Sequence, residues 1–305
     1  MSTQVKSQKL ATVFGLTTVL CWSTVATAFK LSLEYLNPVQ LILIASCASW
    51  CFLLLVLVFQ GRLDLHFINK QGLLSSFLFG CMNPIFYYLL LFSAYSYLPA
   101  QEAQSLNYSW AIVMSLLAVP LLKQRLSRFD ILAALQCYLG VLIIATQGEL
   151  LSLNFTSIKG VLFALASTIV WSLYWILNQR DSREPVVALF MNFSVALPLI
   201  FLYALFTGDA QELLTKPWQA YVGGVYIGVF EMGLAFILWL KAMKLAENTA
   251  KIANLIFISP FLSLLFISVV LDEQILKSTL IGLKLIILGL ILQQRFAPRQ
   301  YSDEV

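Results

Sequence analysis

Charged residues are scarce in this sequence. Asp, Glu, Lys and Arg together make up 11% of it, against about 25% in ordinary globular chains. A chain of 305 residues can bury a large core, but here too little polar material remains to clothe one in water, which excludes a soluble globular protein. Histidine is nearly absent: His66 is the single example, in the polar stretch GRLDLHFINK, where it reads as solvated. No pair of carboxylates falls within the apolar runs. Acid–base, nucleophilic and metal-dependent catalysis need such groups side by side, so an enzyme is not expected. The five cysteines (Cys21, Cys47, Cys51, Cys81, Cys137) lie in apolar runs without metal-ligand spacing and read as small packing residues. No G-x-x-x-x-G-K-[ST] motif occurs, which argues against an ATP-driven pump in this one chain. The net charge of +4 is too small to point to nucleic acid. No metal and no cofactor is expected.

What the sequence does have is apolar length. Hydrophobic residues make up 60% of it, in blocks of roughly 18–24 residues that each suffice to cross about 30 Å of hydrocarbon. Ten membrane spans are expected, near 11–30, 39–59, 72–94, 99–121, 129–147, 158–178, 185–206, 218–240, 249–271 and 277–295. The fold class is therefore an all-α membrane protein, its first partner the lipid bilayer. The connectors are too short to hold a soluble domain. Turn and breaker residues stand where spans should begin: Asn37-Pro38, Pro99, Pro185 and Pro217. Ala26-Thr27-Ala28 resembles a signal-peptidase site after Lys6 and Lys9, but the first span has a counterpart later in the chain and is expected to be retained.

Lysine and arginine set the orientation. With a cytoplasmic N-terminus, fourteen fall in inner loops and only Lys30, Lys159, Lys216 and Lys277 in outer ones, with Lys284 inside the tenth span. The positive-inside rule then places both termini in the cytoplasm, and a bacterial cytoplasmic (inner) membrane is the expected location.

The sequence also repeats. A shift of 149 residues lays GLTTVLCWSTVATAF over ALASTIVWSLYWILN, so that Trp22 meets Trp171 and Ser23 meets Ser172. The same shift brings Gly140 onto Gly289. Two halves are expected, 1–148 and 149–305, each with five spans. Five is odd, so the halves must cross the membrane in opposite directions. Inverted repeats of this kind characterise secondary transporters, whose substrate site lies near the midplane between the halves.

These motifs resemble a known family. VLCWSTVATAFK in the first span, GVLFALASTIVWSLYWILNQR in the sixth and GVFEMGLAFILWLKAMKLAENTAKIANLIFISPFLSLLFISVVLDEQ across the eighth and ninth are similar to the drug/metabolite transporter superfamily. The resemblance is to its ten-helix members with two EamA-type repeats, and it covers nearly the whole chain. LNYSWAIVMSLL looks like the fourth span of aromatic amino-acid exporters, with Ala111 where a proline is usual; the second half keeps its equivalent, Pro260. The resemblance implies export or exchange of small metabolites, such as amino acids or amphipathic compounds, by alternating access.

Few residues stand out against this apolar background. Glu231 is the only Asp, Glu, Lys, Arg or His from Tyr221 to Leu240, near the middle of its span. A carboxylate there costs roughly 2.5–3.5 kcal/mol on insertion scales. Two readings are open: a transport group for a proton or a substrate ammonium, or a clasp between helices. A shift of 148 pairs it with Asn83, which precedes Pro84 in the third span, and inverted symmetry would bring the two near one central region. Lys284 is the only basic residue well inside a span; it reads as a counter-charge for Glu231 or as a side chain snorkelling outward. Trp22 and Trp171 lie mid-span, away from the interfaces where tryptophan usually sits, either packing around a cavity or lining it. Asn107, Tyr108 and Trp110 form a polar-aromatic cluster that reads as cavity wall. Glu102 is expected at the outer interface, and Gly224 and Gly228 at a close helix contact. The alternative to a transporter is a non-transporting membrane scaffold or assembly protein of the same fold. Isolated mid-span charges count against it. The oligomeric state is not legible.

Overall fold

A computed structural model describes residues 6–62, 70–122, 127–151, 155–178 and 180–296. His66 lies outside them. The described residues form α1 (Gln8–Leu33), α2 (Pro38–Phe59), α3 (Gln71–Tyr97), α4 (Ala100–Leu122) and α5 (Arg128–Ala145) in the first half. The second half supplies α6 (Ile158–Asn178), α7 (Pro185–Thr207), α8 (Trp218–Leu245), α9 (Lys251–Val270) and α10 (Lys277–Phe296). Among the described residues, α1 to α9 are nine helices long and apolar enough to cross a membrane. Helix α10, with 20 residues, occupies the expected tenth span.

Local chemistry sets the helix ends. Asn37 accepts from the backbone of Val39 and Gln40, Gln40 returns a bond to Asn37, and Pro38 opens α2 where no N–H is needed. Glu184 caps Val186 and Val187 at the start of α7, with Pro185 first in the helix, and Gly208 ends it at φ 85°. Ser127 and Asp130 form the same reciprocal box at the start of α5. Between such ends a helix satisfies its own backbone, as hydrocarbon requires.

Four helices are not regular throughout. Helix α3 widens into a π-helical turn at Cys81–Phe86, where Asn83 leaves helical geometry (φ −140°, ψ 112°). Helix α8 does so at Ile227–Ala235. Helix α4 breaks after Asn107, and α9 tightens into a 3₁₀ stretch at Asn254–Ile258. The interruptions fall in the third and fourth helices of each half. Irregular turns of this kind gather at functional sites and hinges.

Helix neighbours obey the same symmetry. Helix α1 packs on α8 and α9, as α6 packs on α3 and α4; α2 packs on α8, as α7 packs on α3. Two pairs are self-equivalent, α2 with α7 and α5 with α10. In the second pair, a Cβ on Gly140 would meet the Gly282 carbonyl oxygen at 2.5 Å, and one on Gly289 the Ala133 oxygen at 3.0 Å. Moving forward along α5 thus moves backward along α10. Gln136 donates to the Leu285 carbonyl between them (3.1 Å). In the first pair, Asn37 bonds Asp209 while Trp50 donates to Ser194 (2.8 Å), again antiparallel. Equivalent helices that run antiparallel mean inverted halves. A Cβ on Gly228 would fall on the Ala45 carbonyl oxygen, so this glycine lets α8 lie close against α2.

Candidate central cavity

A cavity of about 420 Å³ lies between the two halves. Helix α8 brings Glu231 to it from the irregular turn, with Phe236 and Trp239 further along. Helix α6 contributes Trp171 and Trp175, and α1 contributes Trp22 and Phe29. Helix α4 contributes Asn107, Tyr108 and Trp110 at its break, with Gln104 one turn before. Ala253 of α9 and Gln293 of α10 carry the wall towards the face that bears the chain ends. On the opposite side Phe29 packs edge-on against Tyr95 (5.3 Å) and Phe92 (5.0 Å). Beside them Lys30 donates to the carbonyls of Tyr95 and Leu98, both at 2.8 Å.

The aromatic wall is ordered in pairs. Trp171 stacks on Tyr87 with centroids 4.3 Å apart and planes at 24°. Trp22 meets Phe236 edge-on at 6.3 Å. A shift of 149 residues carries the one pair into the other. Trp171 also touches Phe236 (6.0 Å) and Trp175 (5.7 Å), and the contact with Phe236 links the two pairs around one space.

Polar groups are few, and several are half-satisfied. Tyr88 donates to Glu231 Oε1 at 3.2 Å, while Glu231 Oε2 is buried with no partner among the described residues. Gln104 Oε1 and Trp175 Nε1 are likewise buried and unpartnered. Each such atom costs on the order of 1–3 kcal/mol unless something binds it. Asn107 donates to Ser167 (3.0 Å), and Ser23 of α1 donates to Ser259 of α9 (3.3 Å) across the halves. Among the described residues the wall contains one carboxyl group and no lysine, arginine or histidine.

Two of the residues singled out in the sequence stand elsewhere. Lys284 is exposed, on the same side of α10 as Leu280 and Leu288; the opposite side, with Leu283, Ile286 and Leu290, is buried. The close glycine contact with α5 turns Lys284 away from the cavity, so it is no counter-charge for Glu231. Asn83 is buried where the backbone of α3 leaves helical geometry, and it is not part of the wall. Glu102 stands in the first turn of α4, at the end of its span, but is fully buried there, and Gln147 (2.9 Å) and Thr156 (3.0 Å) from the α5–α6 connector donate to it. Sequence reasoning missed Gln104, Trp175 and Tyr88. Trp175 follows Trp171 by one helical turn, a usable signal; Gln104 and Tyr88 gave none.

The sequence model of the EamA-like transporter family matches residues 9–146 and again 158–293. The chain belongs to the EamA-like transporter family. Among its curated relatives, the aromatic amino acid exporter YddG of Ancylobacter novellus is 27% identical over 86% of this chain and 89% of its own. An uncharacterized transporter of Bacillus subtilis, YyaM, is 22% identical, with 86% of each chain covered. A crystal structure of 22% identity covers 94% of this chain and 96% of its own with a TM-score of 0.60, a likeness of fold. The wall described above is therefore the space between the two repeats of an EamA transporter.

Proposed function

We propose that this EamA transporter exports or exchanges small amphipathic metabolites carrying an amine, by alternating access, with Glu231 receiving either the substrate ammonium or a proton. The observation that carries this reading is the composition of the wall: one carboxyl group with a free, buried oxygen, enclosed by tryptophan and tyrosine faces and no basic side chain. An ammonium is matched there by charge and by cation–π contact with the rings. A carboxylate would find no cationic partner. The aromatic amino acids named for the Ancylobacter relative carry a flat ring that suits the Trp171–Tyr87 wall and an amino group that suits Glu231, while their carboxylate would rely on neutral donors such as the free Trp175 N–H. The lysine and arginine bias supports cytoplasmic chain ends in a bacterial inner membrane.

The reading is tested by heat protection of the purified protein, since a ligand that binds the folded state stabilises it. Aromatic amines should raise the unfolding midpoint of the wild type and leave Glu231→Gln unchanged. Protection by carboxylic acids alone would contradict it.

A further inference from the structure

A second cavity, of about 320 Å³, lies at the face where α1 begins, between the end of α2, the start of α7 and the end of α8. Its place is fixed by the neighbouring N-terminus, where the Ser7 N–H donates to the Leu245 carbonyl (2.9 Å). Arg62, Lys241 and Lys244 line it, with one acid, Glu184. That acid is already engaged. One of its oxygens caps Val186 (3.0 Å) and Val187 (2.9 Å), and the other lies 4.0 Å from Arg62. Lys241 and Lys244 make no hydrogen bond or ion pair with the described residues. Among the described residues the cavity thus carries an excess of positive charge, at the ends of helices long and apolar enough to cross a membrane. Below it the wall turns apolar through Val186, Ile237 and Leu240.

We propose that this cavity binds a phosphate-bearing anion, and that its source is an anionic phospholipid of the adjacent leaflet. Basic pockets between membrane helices take such headgroups, and the apolar stratum beneath would receive the first carbons of the acyl chains. Arg62 offers a bidentate fork to two phosphate oxygens, and the lysines act as point charges. A lipid held there joins α2, α7 and α8, which belong to different halves.

The test heats the purified full chain in detergent with dioleoylphosphatidylglycerol, with dioleoylphosphatidylcholine, or with inorganic phosphate. Phosphatidylglycerol should protect the wild type and phosphatidylcholine should not. The triple variant Arg62→Gln, Lys241→Gln, Lys244→Gln should lose that protection, and each single variant should weaken binding about fivefold. Protection by inorganic phosphate that the triple variant also loses would support the site with a soluble source in place of the lipid. Equal protection by both lipids, or equal protection of wild type and variants, would overturn the proposal. Should the triple variant fail to fold, the single variants decide.

Discussion

Ser172 Oγ donates to the carbonyl of Trp110 at 2.8 Å, and Ser23 Oγ donates to the carbonyl of Ser259 at 3.3 Å. A shift of 149 residues turns the first pair into the second. Each serine ties the first helix of its half to the irregular fourth helix of the other's counterpart position, where the cavity wall begins. Ser172→Ala should therefore cost about 1 kcal/mol, and Ser23→Ala less, because its bond is longer. Thermal unfolding of the two variants in detergent checks the order.

Glycine contacts between α5 and α10 should behave as tightly packed sites. A methyl group on Gly140 would strike the Gly282 carbonyl oxygen at 2.5 Å, while one on Gly289 would lie 3.0 Å from its neighbour. Gly140→Ala should destabilise by about 1–3 kcal/mol, the usual range for overpacking. Gly289→Ala should cost less. Equal unfolding midpoints would contradict the close approach.

The connector between α6 and α7 holds an ion pair. Arg183 meets Asp181 at 2.7 Å, with both side chains nearly buried, and also donates to Ser76 on α3 (2.6 Å). Burial acts to raise the Asp181 carboxyl, but hydrogen bonds from the Arg183 side chain and backbone outweigh it and hold it below the usual carboxylate range. A depressed folded-state value means a contribution present above the ordinary aspartate range, near pH 4, and lost as pH falls below it. Arg183→Gln should cost about 3 kcal/mol at neutral pH, and the gap to wild type should shrink in acid. A gap that widens in acid would contradict the pairing.

Lys284 should be dispensable for transport. It is exposed on the side of α10 away from the cavity, so Lys284→Gln should leave uptake rate and its pH dependence unchanged. A loss comparable to that of Glu231→Gln would restore a partnership that the geometry does not support.

Much of the architecture was legible because it is written in local runs. Apolar length gives the helices, an odd number of spans in each of the two repeats gives inversion, and Trp22 with Trp171 marks the equivalent walls. Direction around a helix axis was not legible. Lys284 read equally as a partner for Glu231 or as a snorkelling side chain, and only the Gly140–Gly282 contact shows which side of α10 faces inward. Asn83 matched Glu231 in spacing, yet its own backbone departs from the helix and the residue is not part of the cavity wall. Glu102 lay near a span end, but acceptors are buried or exposed by what the connector brings over them, here Gln147 and Thr156. Such contacts join residues far apart in the chain, and periodicity carries no trace of them.

The most direct measurement is uptake of an aromatic amine into proteoliposomes across a range of imposed pH gradients, for wild type and Glu231→Gln at matched folded amounts. Here a lone carboxyl in an aromatic chamber is held to trade its proton for a cationic cargo. Wild-type flux that follows the gradient, beside a flat or absent response in the variant, is the outcome this requires; identical curves for the two proteins would end it.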